Sequence, residues 1–148
     1  MGNVVVLLAL LVAVGRTQTM VGTWKLNPER STFAGQTQAK TLVLRVEHHP
    51  NGEVVTVDRT EGNGQSTSAS TIWYFDGVPR DFQGTECSGS QTSRRLDSQT
   101  VEILRQCEGG NWERLVHRLT RQGKELVVEI TRQRSGRRSE ERLILEKQ

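Results

Sequence analysis

Two histidines, two cysteines and three arginines carry most of the chemistry this chain can offer. His48 and His117 both fall on the apolar side of their strands in the hairpin registers set out below, whereas His49 falls on the opposite side. Two inward imidazoles could share a metal ion or a proton, but no third ligand is spaced to join them, so no metal site is expected. A lone histidine on an apolar face is more often a hydrogen-bonded core group or a ligand contact. Arg59, Arg94 and Arg105 fall near the interior among Ser, Thr and Gln residues. A buried guanidinium needs a carboxylate, water or an anionic head group beside it. Either these arginines sit at a wet rim, or they clamp an anion whose apolar tail lies against Val46, Val57, Leu115 and Val128. No Gly-x-Ser-x-Gly elbow, phosphate loop or dinucleotide fingerprint is present, and the carboxylates mostly alternate outward. No catalytic residue and no cofactor is therefore expected, and the chain reads as a non-enzyme.

The elements that must position these groups are strands. Turn signals recur at Pro50-Asn51-Gly52, Glu61-Gly62-Asn63-Gly64, Asp76-Gly77, Asp97-Ser98, Gly109-Gly110-Asn111, Gln122-Gly123 and Ser135-Gly136. Asn-Gly, Asp-Gly and Ser-Gly pairs favour the positive φ of tight hairpins. Between them run segments rich in Val, Ile, Leu and Thr: Lys40–His49, Glu53–Thr60, Ser68–Phe75, Thr100–Cys107, Trp112–Thr120, Glu125–Arg132 and Glu140–Glu146. With a strand at Trp24 and another near Ser90–Arg95, the expected fold is all-β. It is a single antiparallel up-and-down β-barrel of roughly eight to ten strands, whose closure removes exposed edges. Gly22-Thr23-Trp24 opens the first strand, and Trp24 would plug the barrel floor.

Hairpin register then sorts the faces. The Asn51-Gly52 turn pairs Val46 with Val57 and His48 with Val55. The Gln122-Gly123 turn pairs Leu115 with Ile130, His117 with Val128 and Leu119 with Leu126. The Ser135-Gly136 turn carries Val128 to Leu143 and Leu126 to Leu145. At Gly109-Gly110 a two-residue loop would turn Leu104 inward; a three-residue loop would turn Val101 and Ile103 inward, with Arg105 opposite Leu115. The second alternates more cleanly. With Asp97-Ser98 as a hairpin loop, one bulge sets Cys87 opposite Cys107, and a disulfide between them is expected.

The bulk numbers limit the partners. Only 34% of the 148 residues are apolar and 5% aromatic, so the core is thin. A barrel suits such a composition because each strand turns only alternate residues inward. Twenty basic residues are interleaved with 17 carboxylates for a net charge of +3, which reads as ion-paired outer faces and not a nucleic-acid surface. The arginine run from Arg132 to Arg138 could touch an anionic membrane surface, but a solvated hairpin tip accounts for it and nothing else supports that contact. The apolar run from Val4 to Val14 is too short to span a bilayer and suits the core of a signal peptide. Residues 1–19 are read as that leader and 20–148 as the barrel domain; an extra apolar strand is the alternative. Export would make the protein secreted or periplasmic. Oligomeric state is not legible.

The stretch Val21-Gly-Thr-Trp-Lys-Leu-Asn-Pro-Glu-Arg-Ser-Thr-Phe33 resembles the opening of a bacterial family of exported, lipocalin-like (calycin-type) domains of no established function. The resemblance continues through Trp73-Tyr74-Phe75-Asp76-Gly77-Val78-Pro79, Arg94-Arg95-Leu96-Asp97, Arg121–Leu126 and Leu145–Gln148. It implies an exported barrel and no known activity; the cysteine pair is not part of the family pattern. More broadly, Gly22-x-Trp24 is similar to the opening of lipocalins and fatty-acid-binding proteins, in which a basic residue of a late strand packs on the Trp. By position, Arg142 is expected in that role here. The helical lid of fatty-acid-binding proteins is not expected, because Asn27 to Lys40 holds Pro28 and Gly35 and no helical stripe.

The function these observations favour is an exported binding protein for a small hydrophobic or amphipathic ligand, anionic ones included, inside the barrel. His48, Val57, Arg59, Arg105, Leu115, His117 and Val128 would line the site, with Gly22, Trp24 and Arg142 structural. The alternative is a structural or interaction protein of the cell envelope whose barrel is filled by its own side chains.

Overall fold

The computed structural model describes residues 18–35 and 38–148. The expected leader, 1–19, lies outside the described residues but for its last two. Ten antiparallel strands follow: β1 (Gly22–Leu26), β2 (Ala39–His49), β3 (Gly52–Glu61), β4 (Ser66–Trp73), β5 (Arg80–Gln83), β6 (Ser88–Asp97), β7 (Thr100–Cys107), β8 (Trp112–Thr120), β9 (Glu125–Arg134) and β10 (Arg137–Lys147). They form one sheet in the order β4-β3-β2-β1-β10-β9-β8-β7-β6-β5, so β1 joins the two halves and β4 and β5 are its edges. A few polar contacts draw the edges together. An isolated bridge pairs Asp76 with Arg94, the Phe75 amide donates to Ser93 Oγ at 3.0 Å, and the Gly77 amide donates to the Ser93 carbonyl at 3.1 Å. The result is a nearly closed barrel with one seam.

The turn residues explain where register was legible. Ser135 and Gly136 both take positive φ (50° and 75°), as a tight hairpin with right-handed strands requires. Val128 accordingly faces Leu143 and Leu126 faces Leu145, while Leu115, His117 and Leu119 face Ile130, Val128 and Leu126. The β7–β8 loop is the three-residue Glu108–Gly110, which turns Val101 and Ile103 inward; Arg105 lies opposite Glu113, not Leu115. The β2–β3 register differs from the expectation by two residues. The turn is Pro50-Asn51, so Val46 pairs with Val55 and His48 with Glu53. Proline suits the first corner of such a turn. Gly52, freed for the strand, meets β4 so closely that an added Cβ would lie 2.0 Å from the Trp73 carbonyl oxygen. Because the shift is even, each residue keeps its face. β5 was not expected: its four residues show no apolar alternation.

The two ends of the barrel differ. At the end holding the β1 start and the β8–β9 turn, Trp24 is fully buried and its indole donates to the Met20 carbonyl at 2.7 Å. The cation over that ring is Lys147, with Nζ at 5.4 Å; Arg142 is exposed on β10 and is not the packing residue. Trp24 pairs directly with Lys147, five residues beyond Arg142 in the chain, which is why position alone misled. Gly22 leaves room for this lysine, since a Cβ there would meet its Cε at 3.2 Å. At the opposite end Cys87 and Cys107 are bonded, with Cα atoms 4.9 Å apart, and tie the β5–β6 turn to the end of β7. Among the described residues between β1 and β2, the helical element is one short turn, Pro28–Arg30.

Candidate functional site

Inward alternation brings Val57, Leu115, His117 and Val128 to one lumen, as the registers require. The lining is apolar over Leu42, Leu44, Val55, Ile103 and Leu143, all buried. Toward the disulfide end it becomes accessible: Val57 and Leu115 face inward and pack on the core, yet both are only half-buried. On β4, Ala69 lies beside Val57 and is exposed. That end of the lumen is therefore open to water.

A belt of polar side chains rings the same end. Gln91 donates to Thr71 Oγ1 at 3.0 Å across the seam, and accepts from Arg105 Nε at 2.9 Å. Arg105 Nη1 reaches Glu113 at 3.2 Å, and its guanidinium lies 4.2 Å from the centre of the Phe82 ring. Glu113 also accepts from Arg132 Nε at 3.1 Å and Arg134 Nη2 at 2.7 Å, and Arg132 Nη1 lies 3.2 Å from Glu141. Burial lowers the Arg105 pKa, opposed by the Glu113 charge; for Glu113, the arginine charges and hydrogen bonds outweigh desolvation and hold the carboxyl below its usual range. These inward carboxylates were not foreseen, because the sequence pattern placed acidic residues outward. Arg59, on the inner face of β3, is paired with Glu61 two residues on. Arg94 points outward and forms an external triad with Glu102 and Arg114, at 2.6 Å on each side. It does not face the lumen.

The histidines are separated. His48 keeps the inner-face parity but is exposed at the next-to-last rung of β2, where the hairpin leaves the core, so its expected place in the lumen is corrected. Its partner Glu53 is the buried group there, bonded to Arg95 at 2.9 Å. His117 is buried in mid-β8 against Trp73, the ring centres 4.7 Å apart and tilted by 59°. Desolvation, with the Arg105 charge as a lesser cause, pushes its pKa down to about 3, so it is neutral at ordinary pH. Among the described residues no cluster of three or more His, Cys, Asp or Glu side chains could hold a metal. A small pocket of about 180 Å³ opens at the seam, lined in part by Thr71, Gln91 and Ser93 from the inner face and by Tyr74, Val78 and Arg80. Trp73 was the residue that the sequence reading left without a role; no local signal places it against His117, because the contact crosses the seam.

No family model matches the chain, and no curated protein matches it. Solved structures do match its fold. The Schistosoma mansoni fatty acid binding protein in complex with arachidonic acid superposes with a TM-score of 0.62 at 9% identity, covering 90% of this chain and 99% of that one. As-p18, an extracellular fatty acid binding protein, gives 0.58 at 14% identity, covering 86% and 95%. The zebrafish ileal bile acid-binding protein complexed with cholic acid gives 0.52 at 10% identity, covering 86% and 98%. The chain thus has an antiparallel β-barrel of the same shape as these proteins. At such identities the likeness concerns the fold and not the ligand.

Proposed function

We propose that this chain is an exported, non-enzymatic binding protein that holds a small hydrophobic or amphipathic molecule inside its barrel. The observation that carries this reading is the half-buried, inward-facing pair Val57 and Leu115, which continues a buried apolar lining toward the open end. Burying such surface against an apolar ligand is favourable at about 25 cal/mol per Å². Val128 and His117 lie deeper in the same lumen, Arg105 stands at its polar belt and Arg59 at its rim; His48 is too far out along β2 to contribute. Arg59 and Arg105 already have carboxylate partners, so an anionic head group would meet them only by displacing Glu61, Glu113 or Gln91. Solved proteins of the same shape hold arachidonic and cholic acids, which supports a ligand of this general class. The Cys87–Cys107 bond and the leader-like start support an oxidising, exported location, and the GTWKLN-type opening supports membership of the exported lipocalin-like family.

The second reading is a structural or interaction protein of the envelope with a filled barrel. It is favoured by the Thr71–Gln91–Arg105–Glu113–Arg132–Glu141 belt, whose members are linked to one another by hydrogen bonds and ion pairs without a ligand. Native mass spectrometry of protein purified from its own host separates the two. A co-purifying small molecule that leaves on organic extraction supports the first; a bare mass, with no uptake of any lipid from a host extract, contradicts it.

A further inference from the structure

Among the described residues four buried side-chain polar atoms lack hydrogen-bond partners, Glu53 Oε2, Trp73 Nε1, His117 Nδ1 and Glu141 Oε2, and two of these belong to rings in contact. Trp73 is 2% exposed and its Nε1 has no acceptor; His117 is 4% exposed and its Nδ1 has no partner. The two rings are in contact, 4.7 Å between centres, and they meet across the seam from β4 and β8. Their placement is fixed: Gly52 allows β3 and the Trp73 carbonyl to approach closely, and Val128 and Val101 flank His117 on the neighbouring strands. A buried polar group without a partner costs about 1 to 3 kcal/mol, and two adjacent ones define a site by what would satisfy them.

We propose that Trp73 and His117 together recognise a neutral hydroxyl at the head of a small apolar ligand; this rests on the reading of the barrel as a ligand-binding lumen. An indole N–H can only donate. With the proton of neutral His117 at Nε2, a tautomer that is part of the proposal, Nδ1 can only accept. One group that accepts from the first and donates to the second is a hydroxyl. An ether or ester oxygen serves only Trp73. A carboxylate adds a charge beside an imidazole held neutral by burial, while the nearby cations Arg105 and Arg132 are already bonded to Glu113. The seam pocket begins at Thr71, the next inward residue along β4 from Trp73. That pocket, about 180 Å³ in volume, is lined by Thr71 but by neither Trp73 nor His117.

The test is calorimetric titration of the delipidated wild-type protein, at neutral pH, with octanol, octyl methyl ether and octanoate. Octanol is expected to bind about five-fold more tightly than the ether, from one net hydrogen bond, and more tightly still than octanoate. In His117→Leu the difference between octanol and ether disappears, and in Trp73→Phe both lose affinity, changes that mere loss of packing would not produce in that pattern. Octanoate binding as tightly as octanol, or ether equal to octanol in the wild type, overturns the hydroxyl assignment even if both variants fail to fold. Equal binding of all three leaves the lumen as a ligand site and removes only its head-group preference. Binding of none contradicts both.

Discussion

Acid should destabilise this fold through one side chain more than any other single histidine can. His117 is buried against Trp73 and its pKa is pushed down to about 3 from an ordinary 6.5. In the unfolded chain the imidazole regains its ordinary value, so between those limits the unfolded state binds a proton that the native state refuses. Stability from this group is complete above pH 6.5 and falls with pH, by about 1.4 kcal/mol per unit, until the native imidazole itself titrates. By pH 5 the loss is about 2 kcal/mol, and carried to pH 3 it approaches about 5 kcal/mol. His117→Leu removes the titration while filling similar space, and since Nδ1 has no partner the substitution breaks no hydrogen bond at that atom. Urea unfolding of both proteins from pH 7 to pH 5 provides the measurement. The wild type should lose about 2 kcal/mol more than the variant, the carboxylate contributions cancelling in the difference. If the two curves run parallel over that interval, His117 titrates normally in the native barrel and its burial is not what the geometry implies.

Other consequences are equally open to measurement. Replacing both cysteines by serine removes a cross-link whose ends are 20 residues apart, and should cost about 3 kcal/mol, read as a shift in the urea midpoint without loss of strand content by circular dichroism. Glu113→Gln leaves Arg105, Arg132 and Arg134 with one carboxylate fewer at the inner belt; unfolding should become easier by about 3 kcal/mol, and wild-type stability would show that the belt is well solvated. Gly52→Ala places a methyl 2.0 Å from the Trp73 carbonyl oxygen, so β3 and β4 must part. The expected cost is at least about 2 kcal/mol, with a changed near-ultraviolet signal from the Trp73 indole.

Local turn chemistry decided how much of this molecule could be read from its residues. Ser135-Gly136 and Gln122-Gly123 fix their hairpins, and the β8–β9–β10 face follows residue by residue. At Pro50-Asn51-Gly52 two turns compete, and the winner depends on Trp73 from another hairpin pressing on Gly52, which no local pattern reveals. The disulfide was legible because it lies near a hairpin rung, whereas β5, held by only four residues, was not. For the site, parity alone placed Val57, Arg105, Leu115, His117 and Val128 on the inner face. It could not show that Glu113 and Glu141 turn inward as well, since an acidic residue reads as solvent-facing until its arginine partners are known. His48 shares the parity of Val46 but lies where the strand has outrun the core. The Trp73–His117 contact joins segments that are distant in sequence and unpaired in the sheet, so only the closed barrel discloses it.

The central claim is that apolar molecules bind within the lumen. It is tested most directly by following backbone and methyl NMR shifts while octanol is added to the delipidated protein. Saturable shifts should concentrate at Val57, Leu115, His117 and Val128 and leave the outward Val54 and Leu104 unmoved. Shifts confined to outward residues, or none that saturate, would contradict a ligand-binding barrel.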